Sequence, residues 1–337
     1  MSAIDCLMDC RHLLLLPPNW IGDAVMAQPA MRALALHLQT LGGERELTLS
    51  GRGWLADLLP FLDLPEARFE KKIPSDADTG ILFPNSFGSA WRLRRAGVKR
   101  RIGFAGQWRR LLLTDALAPN RDMKVEHHRL YFLDLAAQCG APAAETSVRL
   151  SLPEEESMAG RLALFQHGLN PDRTICIAPG AQYGGAKRYP AERYAAINRQ
   201  LAQHGYHLLL LGTPAEREIA SQTLTGIETP HWNGAGETSM RQALQMLAAS
   251  RLLLCNDSGL MHVAAGMGKP VVALFGATAP GRTSPSAARE LPQPELIYRP
   301  APCSPCLARE CKVAGQPCMA NIAPELVVQT VLKKLDA

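Results

Sequence analysis

The residues best suited to chemistry form one short run, Asn256-Asp257-Ser258-Gly259-Leu260-Met261-His262. The apolar stretch Leu252-Leu253-Leu254-Cys255 precedes it, and the small residues Val263-Ala264-Ala265 follow. That order predicts a buried strand, a tight turn and a helix starting at Ser258 or Gly259. The leading N–H groups of such a helix lack intrahelical acceptors and carry the positive end of its dipole. A diphosphate fits there, with Asp257 and His262 placed to bond parts of a ligand that the backbone does not reach. An empty capped turn, with Asp or Ser as N-cap and His262 in the core, gives the same pattern.

Three further segments carry candidate chemistry. The loop Pro179-Gly180-Ala181-Gln182-Tyr183-Gly184-Gly185-Ala186-Lys187-Arg188-Tyr189-Pro190 is rich in glycine and holds a basic pair. It lacks Walker spacing and so is no P-loop. Its glycines would let the backbone approach a phosphate while Lys187 supplies a point charge; a plain surface loop is the competing reading. Asp23 follows Gly22 at the start of the first predicted helix, where the helix N-terminus favours its ionised form. It is either a general base toward a hydroxyl or a helix cap. Asp76-Ala77-Asp78 has the Asp-x-Asp form that holds a nucleotide-bound cation, but it precedes a strand instead of following one and reads as a solvated turn.

Four of the nine cysteines fall in Cys303-x2-Cys306-x4-Cys311-x6-Cys318. The spacing is close to that of zinc sites, so a structural zinc is expected, with free thiols as the alternative. Cys139, Cys176 and Cys255 read as small buried hydrophobes.

These segments need strands to hold them. Residues 11–16, 46–49 and 80–83 read as strands, and 23–41, 54–59 and 129–139 as helices. A break rich in Pro, Ala, Ser and Thr at 141–153 reads as a linker. Alternation then resumes with strands at 174–178, 207–211, 251–255 and 271–275, and helices at 154–167, 191–204, 240–249 and 324–335. Such alternation implies parallel sheets covered on both faces. The expected architecture is α/β, with two Rossmann-like doubly wound domains facing a cleft, at 1–150 and 151–322. A last helix at 323–337 is free to pack on either domain, including back on the first. The loops at strand C-termini, including 17–23, 179–190, 212–216 and 256–262, are expected to line the site.

At 337 residues, 47% hydrophobic and 20% charged, the chain suits two soluble globular domains. No apolar run is long enough to span a bilayer, and no signal sequence is evident, so a cytoplasmic location is expected. The net charge of +5 is unevenly spread. Arg92, Arg94, Arg95, Lys99, Arg100, Arg101, Arg109 and Arg110 fall between Trp91 and Arg110 without one acidic residue. That stretch suits an anionic partner such as a phosphorylated lipid headgroup, a membrane surface or nucleic acid.

The segments Pro18-Asn19-Trp20-Ile21-Gly22-Asp23, Pro84-Asn85-Ser86-Phe87, Pro179-Gly180-Ala181 with Lys187-Arg188-Tyr189-Pro190, and Asn256 to His262 occur in this order along almost the whole chain. In them the chain resembles the lipopolysaccharide heptosyltransferases of glycosyltransferase family 9, nearest to the type II members that use ADP-heptose. The resemblance implies a GT-B fold, the acceptor in the first domain and ADP-heptose held mainly by the second. It implies Asp23 as catalytic base and Lys187 as phosphate-binding lysine. Donor contacts are implied for Gln182, Tyr183, Lys187, Thr238, Asp257, Ser258, Gly259 and His262. The acceptor would be a phosphorylated Kdo2-lipid A core at the inner face of the cytoplasmic membrane, met by Asn19, Asn85, Ser86, Arg94 and Arg95. Gln182 departs from the hydroxyl residues of other members, and Asn19 replaces a serine. The implied reaction is an inverting displacement with no catalytic metal. Other readings are a related transferase with another sugar or core acceptor, a silent nucleotide-binding protein, or a zinc-containing nucleic-acid-binding protein. The last leaves the α/β pattern unexplained, and no nucleic acid is expected. A dehydrogenase is disfavoured, since no Gly-x-Gly-x-x-Gly follows either opening strand.

Overall fold

The first strand, β1 (His12–Leu16), is buried along its whole length, as its unbroken leucine run requires of a parallel strand covered on both faces. The computed structural model to which it belongs describes residues 5–336. It divides into two compact units, Met1–Ser151 and Leu152–Ala337.

In the first unit β1 leads to α1 (Ile21–Met26), α2 (Gln28–Thr40), β2 (Glu46–Leu49), α3 (Trp54–Leu58), β3 (Arg68–Phe69) and β4 (Thr79–Leu82). The unit closes with α4 (Phe87–Arg95), β5 (Arg100–Phe104), β6 (Asp115–Leu117) and α5 (His128–Gln138). All six strands are parallel, in the order β3-β2-β1-β4-β5-β6. The winding therefore reverses between β1 and β4, which opens a crevice at their carboxyl ends. The single helix expected over 23–41 is two, because Pro29 has no N–H to continue the ladder, and the chain re-enters helix at Gln28. The basic stretch holds α4 and β5, elements that its charges concealed.

The second unit opens with α6 (Glu154–Gln166) and continues through β7 (Thr174–Ala178), α7 (Ala191–Gln203), β8 (His207–Leu210), α8 (Arg217–Gln222) and β9 (His231–Asn233). Then come α9 (Met240–Ala249), β10 (Leu252–Asn256), α10 (Gly259–Gly266), β11 (Val271–Phe275), α11 (Pro280–Thr283) and β12 (Glu295–Tyr298). The short α12 (Pro317–Ala320) and the long α13 (Pro324–Asp336) end the chain. This sheet is also six-stranded and parallel, in the order β12-β11-β10-β7-β8-β9. Its reversal lies between β7 and β10, so the loops after Ala178 and Asn256 flank the switch point.

Helices α6 and α9 meet closely. A Cβ on Gly160 would lie 2.0 Å from the Gln245 carbonyl oxygen, so only glycine permits the approach. The buried Glu156 carboxylate accepts hydrogen bonds from Arg241 and Gln245 across the same seam. The terminal helix, which the sequence left free to pack on either domain, lies in the second unit. Val327, Val328, Val331 and Leu335 of α13 enter its core, and the helix packs on α7, β10 and β11. Its apolar stripe, at helical spacing, is what draws it there.

Candidate active site

In the second unit the chain leaves β10 at Asn256 and starts α10 at Gly259, with Ser258 as an extended N-cap. Asn256 is fully buried and joins the two loops at the switch point. Its Oδ1 accepts from the Tyr189 N–H at 3.2 Å and the Tyr194 hydroxyl at 3.1 Å. Its Nδ2 donates to the carbonyls of Pro179 at 2.7 Å and Gly180 at 3.1 Å. Every polar capacity of the amide is used. The glycine-rich loop is thereby tied to the helix that would receive a phosphate.

Asp257 is buried, and its Oδ2 accepts from Lys187 Nζ at 2.7 Å and from Thr278 Oγ1 at 2.5 Å. Lys187 also lies over the Tyr183 ring, 4.8 Å from its centroid, with Arg309 5.3 Å from the same ring. The structure brings the expected Lys187 and Asp257 together, with Thr278 as a further partner that the sequence did not single out and Asn256 as the link between their loops. Gly259 opens α10, and its N–H is among those left without an intrahelical acceptor. His262 is buried in the next turn. Gln182 is exposed, and Thr238 is half-buried beyond the edge strand β9.

The cysteine-rich segment has a role that the sequence did not announce. The Tyr183 hydroxyl donates to the Leu307 carbonyl at 3.0 Å, and the Ala186 N–H donates to Arg309 O at 2.9 Å. The Gly185 N–H reaches Glu310 Oε1 at 3.1 Å, and Gln316 Nε2 reaches Ala186 O at 2.8 Å. The segment clamps the loop that carries Lys187. Gly184 is required beneath this clamp, because a Cβ there would stand 2.2 Å from Arg309 O. The four expected zinc ligands do not converge: no three of Cys303, Cys306, Cys311 and Cys318 bring their sulfurs within 4.8 Å of one another. Cys303 and Cys306 are exposed, whereas Cys318 is buried. The clamp itself is one main-chain bond, from Ala186 to Arg309, and side-chain bonds of Tyr183, Glu310 and Gln316.

In the first unit Asp23 lies in the first turn of α1, its side chain 32% exposed. Its Oδ1 is 3.8 Å from Nδ1 of His128, the first residue of α5. Both His128 ring nitrogens are buried and have no hydrogen-bond partner. The pair places a carboxylate beside a group able to take a proton, an arrangement suited to general base work. Nothing in the sequence spacing linked two residues so far apart.

A cavity of about 400 Å³ opens at the carboxyl ends of β1, β2 and β4. Asn19 and Ser86 line it, with Trp91 and Arg92 from α4. Ser86 also caps α4, accepting from the Ser89 N–H at 3.2 Å. Asn85, expected to meet an acceptor, is committed elsewhere. Its Nδ2 donates to the Tyr131 hydroxyl at 2.8 Å, and its Oδ1 accepts from Arg109 at 2.7 Å. Arg94 and Arg95 are exposed on the last turn of α4, and Arg92 is the arginine at the cavity wall. Asp76 and Asp78 belong to a turn at the opposite, amino edge. Asp78 accepts the N–H groups of Arg11 and His12, and Asp76 bonds the His12 ring. Among the described residues, His12, Glu46 and Asp76 form the one cluster with metal-type ligands close together, remote from these loops.

The chain is similar to known glycosyltransferases in sequence and in fold. The profile of glycosyltransferase family 9 (heptosyltransferase) matches residues 67–316. Lipopolysaccharide heptosyltransferase 2 of Salmonella typhimurium is 31% identical over 81% of this chain and 85% of its own length. Its namesake from Escherichia coli is 30% identical over the same shares. The solved structure of E. coli ADP-heptose lps heptosyltransferase II superposes with a TM-score of 0.76 at 27% identity, covering 96% of this chain and 98% of that one. The two parallel sheets are those of a GT-B transferase.

Proposed function

The chain belongs to glycosyltransferase family 9, the heptosyltransferases, and from that membership we propose that it moves a heptose from ADP-L-glycero-D-manno-heptose to the heptosyl-Kdo2-lipid A inner core of lipopolysaccharide. The names of its relatives supply the sugar and the pathway. The observation that carries the reading is the ion pair of Lys187 with the buried Asp257 at the N-terminus of α10. Such a pair, beside the leading N–H groups of the helix, would supply a fixed cation and donors to a leaving diphosphate.

The reaction is a single displacement. An acceptor hydroxyl oxygen attacks the anomeric carbon, and Asp23 takes its proton. The bond from that carbon to the ADP oxygen breaks, and configuration inverts through an oxocarbenium-like state, as in glycoside chemistry. ADP leaves with its new charge met by Lys187 and the leading amides of α10. These groups serve where other transferases use a divalent cation, so the proposed reaction needs no catalytic metal. Asn19, Ser86 and Arg92 at the first-unit cavity would receive the phosphorylated acceptor. No helix among the described residues is long and apolar enough to cross a membrane. We place the enzyme peripherally at the inner face of the cytoplasmic membrane, where such an acceptor is exposed.

The test is ADP release with ADP-heptose and a set of truncated core acceptors, with and without EDTA. Turnover with heptosyl-Kdo2-lipid A that survives chelation supports the reading. Turnover only with ADP-glucose or a UDP-sugar would refute the donor, and turnover only with a longer core would refute the acceptor.

A further inference from the structure

The eight basic residues between Trp91 and Arg110 divide by function. Arg100 pairs with Asp115, with Nη2 at 2.9 Å, and Arg101 bonds the carbonyls of Leu112 and Val98. Arg109 is fully buried and donates to Phe104 O, Pro84 O and Asn85 Oδ1. Arg92, Arg94, Arg95, Lys99 and Arg110 remain exposed.

Two large apolar side chains stand among these free charges. Trp108 is 85% exposed and Leu111 78%. Trp108 is the N-cap of a single 3₁₀ turn, Arg109–Leu111, and Leu111 is its last residue. Gln107 and Trp108 both take left-handed backbone, with φ of 47° and 61°, a conformation that costs non-glycine residues energy. The buried Arg109 holds the turn down, and Arg94 Nη1 bonds the Leu111 carbonyl at 3.3 Å, joining the turn to α4. On α4, Phe87 and Trp91 are also about half exposed, one helical turn apart.

We propose that this face, led by Trp108 and Leu111 and ringed by Arg95, Lys99 and Arg110, docks on an anionic phospholipid bilayer. An indole and a leucine held out of the fold enter the boundary between headgroups and acyl chains, and the surrounding cations meet lipid phosphates. A nucleic acid would satisfy the cations but leave Leu111 unmatched. The proposal rests on first-unit residues alone and stands whether or not the donor is ADP-heptose.

The experiment uses the full chain and vesicles of phosphatidylcholine, alone or mixed with phosphatidylglycerol. Binding is expected to the mixed vesicles and to weaken with salt. Trp108→Ala with Leu111→Ala should lower affinity about tenfold or more. Lys99→Gln and Arg110→Gln should each lower it about fivefold. Brominated lipid should quench the wild-type indole fluorescence, and Trp108→Phe should bind but lose most of that quenching. Transfer to a soluble, deacylated acceptor should be unchanged in the Trp108→Ala, Leu111→Ala variant. Equal binding to neutral vesicles, unaltered binding by that variant, or capture of duplex DNA without vesicle binding would overturn the proposal. So would loss of transfer to the soluble acceptor, which would assign the two side chains to the reaction site.

Discussion

Lys187 Nζ sits 2.7 Å from Asp257 Oδ2, and Thr278 holds the same oxygen from the other side. The lysine is fixed in place before any ligand arrives, so little reorganisation remains when charge develops on a leaving diphosphate. Lys187→Met should lower kcat about 10²- to 10³-fold in an ADP-release assay. It should also lower the stability of the second unit in urea, because Asp257 keeps a buried charge without its partner. Full activity in this variant would remove Lys187 from the mechanism.

Asp23→Asn keeps the size and position of the side chain but cannot accept a proton at neutral pH. Turnover should fall by about 10²- to 10⁴-fold, with ADP affinity by calorimetry unchanged. The neighbouring ring predicts a graded companion effect. His128→Gln should lower kcat by less than Asp23→Asn, with the donor KM unaltered.

Glu156 gives the second unit a defined response to acid. The Arg241 hydrogen bond holds its carboxyl below the ordinary 4.5, with burial opposing and Gln245 assisting. A carboxyl lowered on folding contributes stability above its unfolded value, and that contribution is lost as pH falls through the folded one. Urea midpoints should therefore decline below about pH 4.5. Glu156→Gln should be less stable at neutral pH and show a shallower acid slope. Parallel slopes for the two proteins would show that other groups govern the acid limb.

Gly184→Ala tests the clamp. The new methyl would overlap the Arg309 backbone, so the loop bearing Lys187 must move off the cysteine-rich segment. The donor KM should rise and kcat fall, while thermal unfolding of the first unit stays put. Donor kinetics like those of the wild type would show that the clamp is dispensable.

Thiol labelling separates the cysteines by location. Cys303 and Cys306 should react first with a water-soluble disulfide reagent. Cys176 and Cys255 should react only on unfolding, since burial pushes both thiols up and out of the reactive range. Protection of Cys303 and Cys306 by added zinc would show that the four sulfurs can rearrange into a metal site.

Much of this was readable from local pattern. Unbroken runs such as Leu252 to Cys255 specify buried parallel strands, and the turn at Asp257 follows from residue type alone. Pairings across long separations were not readable. His128 meets Asp23, and Arg309 meets Gly184, only through the sheet order, which periodicity does not encode. Strand β5 was hidden because its first two residues are arginines whose charges are satisfied at the sheet edge. The cysteine spacing gave no hint that residues 307–316 bond the loop carrying Lys187.

The clamp also bears on biosynthesis. The loop holding Lys187 is braced by residues 307–316, roughly 125 positions further on. A ribosome must therefore release those late residues before the nascent polypeptide can brace that loop. Any premature termination upstream of that segment would yield a protein with its sheets largely complete and its donor loop unsupported.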